Sequence, residues 1–107
     1  MFNYVEHDNN NYILPERLKG KRQKEIACCC WFTATGKITP LLIKIKDEEG
    51  EIQTIDKIHV IEVNQRKFAG IPSYEVECSI IVNGLTVNVL IIYYPETSKW
   101  TLVEKEP

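Results

Sequence analysis

The dipeptide Asn83-Gly84 lies between two stretches that alternate apolar with other residues, and it constrains the fold more than any other feature of the chain. Both central residues of a type I′ turn need positive φ, which Asn and Gly tolerate, and that turn matches the twist of a two-residue β-hairpin. Residues 73–82 (SYEVECSIIV) place Tyr74, Val76, Cys78, Ile80 and Val82 on one face. Residues 85–94 (LTVNVLIIYY) return with Leu85, Val87, Val89, Ile91 and Tyr93. The turn then sets the register: Val82 opposes Leu85, Ile80 opposes Val87, Cys78 opposes Val89, and Val76 opposes Ile91. A one-residue slip would turn every one of these side chains to the wrong face.

The remaining segments follow the same reading. Residues 25–34 (EIACCCWFTA) are strand-compatible and end at the turn signal Thr35-Gly36-Lys37. Residues 38–46 set Leu41, Ile43 and Ile45 against Lys44 and Lys46, the pattern of a half-buried strand. Asp47-Glu48-Glu49-Gly50 reads as a hairpin tip. In residues 51–63 the step from Ile55 to Ile58 breaks the period of two, so a bulge or bend is expected near Asp56-Lys57. Gly70 and Pro72 argue for a loop or a single helical turn over 64–72. A turn over 95–98 leads into KWTLVE, with Trp100 and Leu102 inward. The expected fold is mainly β, about six antiparallel strands in a small curled barrel or two-layer sandwich, because a single flat sheet would leave one face wet.

Residues 1–24 differ in character. They are polar and Asn-rich, contain Pro15 and Gly20, and hold one small apolar cluster, Tyr12-Ile13-Leu14, able to dock on the body. A short helical turn after Pro15, ended by Gly20, is the local expectation. We therefore divide the chain into an irregular segment, 1–24, and one β domain, 25–107. Residues 16–24 carry Arg17, Lys19, Lys21, Arg22 and Lys24 against the single acid Glu16, whereas the body from Glu25 holds twelve acids and eight bases. With 44% hydrophobic residues the chain has material for a real core, and a net charge of −2 gives no overall polyanion-binding character. The first residues lack a basic start and an apolar run, so they do not read as a secretory signal. No apolar run reaches membrane-spanning length. The expectation is a cytoplasmic protein with no membrane contact, its four cysteines held as thiols.

From Gly36 onward, short motifs resemble a family of short, uncharacterised bacterial all-β proteins. They are Gly36-Lys37-Ile38-Thr39-Pro40, Ile55-Asp56-Lys57-Ile58, Lys67 with Ala69-Gly70, Ser73-Tyr74-Glu75-Val76, Gly84, and Trp100 to Glu104. The segment Phe68-Ala69-Gly70-Ile71-Pro72 departs from that pattern in having less glycine and more apolar character. The resemblance implies a β fold and carries no activity with it.

Candidate chemistry is sparse. Cys28 and Cys30 share a strand face and Cys29 takes the other. Zinc–sulfur bonds of about 2.3 Å need two thiolates closer together than same-face strand neighbours begin, so a metal site would require Cys28, Cys30, Cys78 and His59 to converge. A Cys78–His59 or Cys30–His59 dyad lacks any surrounding nucleophile motif. The expectation is no enzyme, no metal and no cofactor. Two surfaces stand out instead. Leu90, Ile92 and Tyr94, with Trp31, are apolar on faces that the hairpin register does not bury, and suit a homodimer or another protein partner. Arg17, Lys19, Lys21, Arg22 and Lys24, with Arg66 and Lys67, are the candidates for nucleic-acid contact. The expected function is a non-catalytic binding or protein-interaction module, with a nucleic-acid-binding accessory protein and a thiol or zinc protein as alternatives.

Overall fold

The computed structural model describes Leu18 and residues 21–105. They form one seven-stranded antiparallel sheet: β1 (Lys24–Phe32), β2 (Ile38–Lys46), β3 (Ile52–Ile55), β4 (Ile58–Phe68), β5 (Ile71–Val82), β6 (Leu85–Tyr94) and β7 (Lys99–Glu104), in the spatial order β3-β2-β1-β7-β6-β5-β4. Two meanders, β1 to β3 and β4 to β7, are joined where β7 lies beside β1. No helix among the described residues is long and apolar enough to cross a membrane.

The connectivity forces the sheet to curl. In a flat seven-stranded sheet the edges β3 and β4 would lie about 29 Å apart at the usual strand spacing. Only Asp56 and Lys57 separate β3 from β4, and three extended steps from Ile55 to Ile58 span at most about 11 Å. The two edges must therefore meet at this corner. There the Ile81 amide donates to the Lys57 carbonyl at 3.3 Å, tying the corner to β5. β2 comes close to β4 without pairing to it, and the sheet is a curled half-barrel. The bend expected near Asp56-Lys57 is this corner.

The Asn-Gly hairpin has the register read from the sequence, with all four predicted pairs in place. Asn83 and Gly84 both take positive φ, 51° and 79°. The concave face carries the main core: Ile38, Ile43, Ile55, Val76, Cys78, Ile80, Val89, Ile91 and Leu102. At roughly 25 cal/mol per Å² of apolar surface removed from water, this face is the chief source of stability.

Three expectations are corrected. The segment 51–63 is two strands, so the total is seven and not six. Residues 64–72 are not a loop: β4 runs to Phe68 and β5 starts at Ile71, with Ala69 and Gly70 as a second two-residue turn at φ 53° and 83°. Pro72 is tolerated because pairing of β5 with β6 begins only at Tyr74, so its missing N–H costs no bond on that side. Leu41 does not share a face with Ile43. The ladder steps from Cys29–Leu42 to Cys30–Pro40, leaving Leu41 as the extra residue of a bulge and 40% exposed. The bulge re-phases the strand so that Ile38 and Pro40 also point inward.

Candidate functional site

The convex face over β6 and β7 is sealed by the chain's own lead-in. Leu18 forms a second buried cluster with Ile92 and Val103, flanked by Leu90 and Tyr94. The Lys21 amide donates to the Leu18 carbonyl at 3.1 Å, a tight turn that aims Leu18 down at the sheet. Gln23 completes the seal: its Oε1 accepts hydrogen bonds from the Tyr94 and Thr101 hydroxyls, both at 2.9 Å. Ile92 and Thr101 have no exposure at all. Of the interface candidates Leu90, Ile92 and Tyr94, Ile92 is covered from within one chain and the other two are half-buried. Tyr12, Ile13 and Leu14, read as the covering cluster, lie outside the described residues. Trp31, the fourth candidate, stands 63% exposed on the convex side of β1, next to the exposed Cys29.

The cysteines divide as strand alternation dictates. Cys28 and Cys30 face inward together, half-buried. Burial, reinforced by the neighbouring cysteines, pushes the Cys28 thiol up to about 12. Burial, with the Glu77 carboxylate nearby, pushes Cys78 up to about 11. Cys30 is raised as well, again mainly by burial. Burial thus favours the protonated form of all three thiols. His59 pairs with Ser79 on the convex face, whereas Cys78 pairs with Val60 on the concave one. The Cys78–His59 dyad is thus split across the sheet. Among the described residues no group of three or more His, Cys, Asp or Glu side chains is placed to hold a metal.

The basic candidates do not form one track. Arg17 and Lys19 lie outside the described residues. Lys21, Arg22 and Lys24 lead into β1, while Arg66 and Lys67 lie near the end of β4, with β5, β6 and β7 between them. Arg66 is also engaged: its Nε donates to Glu75 Oε1 at 3.3 Å, and that carboxylate is buried, with 4% of its side chain exposed. A buried carboxylate needs such a partner, which makes Arg66 structural first.

Two features that sequence reasoning passed over lie at the open side of the half-barrel. The first is a cluster of aromatic rings on the concave face. Tyr93 packs on Trp100 at 4.7 Å, on Phe32 at 5.7 Å and on Tyr74 at 6.5 Å between ring centroids. The hairpin register that opposes Val82 to Leu85 also opposes Tyr74 to Tyr93, and the next turn opposes Tyr93 to Trp100. The signal was therefore present in the sequence. The second is an unpaired edge. Among the described residues β4 pairs only with β5, and β2 over residues 38–42 pairs only with β1, because β3 covers just Ile43 to Lys46. Exposed apolar side chains mark both margins: Phe32 and Leu41 on one side, Ile61, Val63 and Phe68 on the other. Ile61 is the extra residue of a second bulge, between Val60 and Glu62. An open edge of this kind offers unpaired N–H and C=O groups to any extended chain.

No protein-family model matches this chain, and neither the curated proteins nor the solved structures contain a match to it.

Proposed function

We propose that the protein is a non-catalytic interaction module that takes an extended polypeptide strand along the open edge of its half-barrel. The observation that carries this reading is the margin of β4 beyond the corner, which among the described residues pairs with no strand but β5 and is bordered by exposed Ile61, Val63 and Phe68. Strand addition draws affinity from main-chain hydrogen bonds and specificity from alternate side chains, and it needs no catalytic group. The protonated interior thiols and the placement of His59 on the other face agree with a binding role.

The test is a titration of ¹⁵N-labelled protein with capped octapeptides alternating Val with Lys or with Glu. The reading expects amide shift changes and slowed hydrogen exchange concentrated over Glu62 to Phe68. Changes confined to the Trp31 region of β1, or none at millimolar peptide, would defeat it.

A second reading is favoured by the aromatic cluster. Phe32 is 54% exposed above Tyr93, and exposed Lys67 lies at the same open side, so a single-stranded nucleic acid could stack there. Binding of a short oligothymidine that quenches Trp100 and weakens steeply with salt would support it. Salt-independent or absent binding would eliminate it.

A further inference from the structure

We infer that the strand taken by the β4 edge is the β4 edge of a second copy of this chain, giving a two-fold dimer with one continuous sheet. The inference rests on the strand-addition reading and names its partner.

The argument begins from charge. Glu62 on β4 stands directly opposite Glu77 on β5, and like charges directly opposed in a sheet are unfavourable. Glu77 has a cation of its own, since Lys105 Nζ lies 2.5 Å from its Oε2. Among the described residues no ion pair is recorded for Glu62. Arg66, four positions on, shares the convex face with Glu62. Its recorded contact with Glu75 uses Nε, and 42% of its side chain remains exposed. A guanidinium offers five N–H donors in a fork, so it can serve Glu75 and a second carboxylate together.

Register then selects the partner. Two antiparallel copies of β4 related by a two-fold axis through Asn64 oppose Asn64 to itself, Val63 to Gln65, and Glu62 to Arg66. The last pair occurs twice by symmetry. Residues of equal parity face each other in this arrangement, so the convex faces of the two sheets stay continuous. Among registers that keep this continuity, only the one centred on Asn64 sets Glu62 against Arg66. The same charges act against arbitrary strands, because Glu62, Arg66 and Lys67 place both signs on the edge. The bulge at Ile61 bends β4 at one end of the self-complementary stretch and limits the pairing to residues 62–66. Each copy thereby supplies a cation to the other's Glu62. Isologous contacts of this kind close on themselves and use the β4 edge of both copies.

The test uses the full chain. Sedimentation equilibrium from about 1 to 500 μM, with folding verified by circular dichroism, is run on the natural protein, Glu62→Gln and Glu62→Arg. Glu62 is exposed and faces Glu77, so neither change threatens the fold. The inference expects a dimer whose dissociation constant rises several-fold in Glu62→Gln and at least tenfold in Glu62→Arg. An isotope-filtered NOE between the Asn64 residues of labelled and unlabelled copies is expected in the natural dimer. A natural protein monomeric at 500 μM overturns the inference, as does a dimer indifferent to both substitutions. In either case, octapeptide-induced protection of Glu62 to Phe68 would leave strand addition standing with another partner.

Discussion

Removing the Gln23 side chain should have a cost far larger than expected for a residue preceding the first strand. Gln23 Oε1 is the recorded acceptor for the Thr101 hydroxyl, which sits in a fully buried residue, and it also accepts from Tyr94. In Gln23→Ala the Thr101 donor loses that acceptor in a dry environment, at about 1–3 kcal/mol, and the half-buried Tyr94 loses a bond worth about 0.5–1.5 kcal/mol. The total, about 2–4 kcal/mol, corresponds to a fall in Tm of about 10–20 °C for a domain of this size. The double-mutant cycle with Thr101→Val makes the reasoning specific. In the natural protein Thr101→Val removes one hydrogen bond, while Gln23 still accepts from Tyr94, and should cost about 1 kcal/mol. In the Gln23→Ala background the same change removes the orphaned donor and should stabilise. Urea unfolding followed by circular dichroism measures all four corners. Strict additivity, with Thr101→Val equally costly in both backgrounds, would refute the proposed seal.

Other outcomes follow from the same structure. Ile91→Ala, with no exposure in the concave core, should cost about 2–5 kcal/mol, whereas Leu85→Ala, 69% exposed, should stay within about 0.5 kcal/mol in chemical denaturation. Gly84→Ala should cost about 1–2 kcal/mol by the same assay; its φ is +79°, and no atom within 4 Å meets an added Cβ, so the cost is backbone strain alone. A thiol reagent at pH 8 should modify exposed Cys29 fastest, half-buried Cys28 and Cys30 more slowly, and buried Cys78 only as fast as the protein opens. Cys28 and Cys78 have folded pKa values raised from the ordinary 9.0 to about 12 and about 11, so the folded state favours their protonated forms. Their contribution is complete below pH 9.0 and is lost as the pH rises toward 11 and beyond, so the urea midpoint should decline across that window and recover part of the loss in Cys78→Ala relative to neutral pH.

Local rules carried much of this fold. The Asn-Gly turn gave the β5–β6 register outright, and the broken period between Ile55 and Ile58 gave the corner. What periodicity could not supply was where a ladder gains a residue. The bulge at Leu41 is set by its pairing with Cys29 and Cys30, a long-range event with no local mark, and it moved Leu41 from the interior to the surface. The expected loop over 64–72 is absent because Gly70 and Pro72 do not break the strands: one serves a tight turn and the other a stretch where β6 is not yet paired. The surplus apolar character of Leu90, Ile92 and Tyr94 was legible, but its cover was not, since Leu18 and Gln23 belong to a segment with no period to reveal its docking. The β4 edge escaped notice for a related reason. A strand's sequence reports its faces, while its edges depend on the order of the whole sheet.

The curl of the sheet underlies both the concave core and the open edge, and methyl NOE spectroscopy tests it most directly. In the half-barrel Ile55 of β3 and Ile80 of β5 belong to one core. In a flat sheet of the same order the two strands would be about 24 Å apart, beyond any NOE. The account predicts direct or one-step-relayed NOEs between the Ile55 and Ile80 methyl groups through the interior. Their absence, with the β2–β3 and β5–β6 ladders intact, would contradict it.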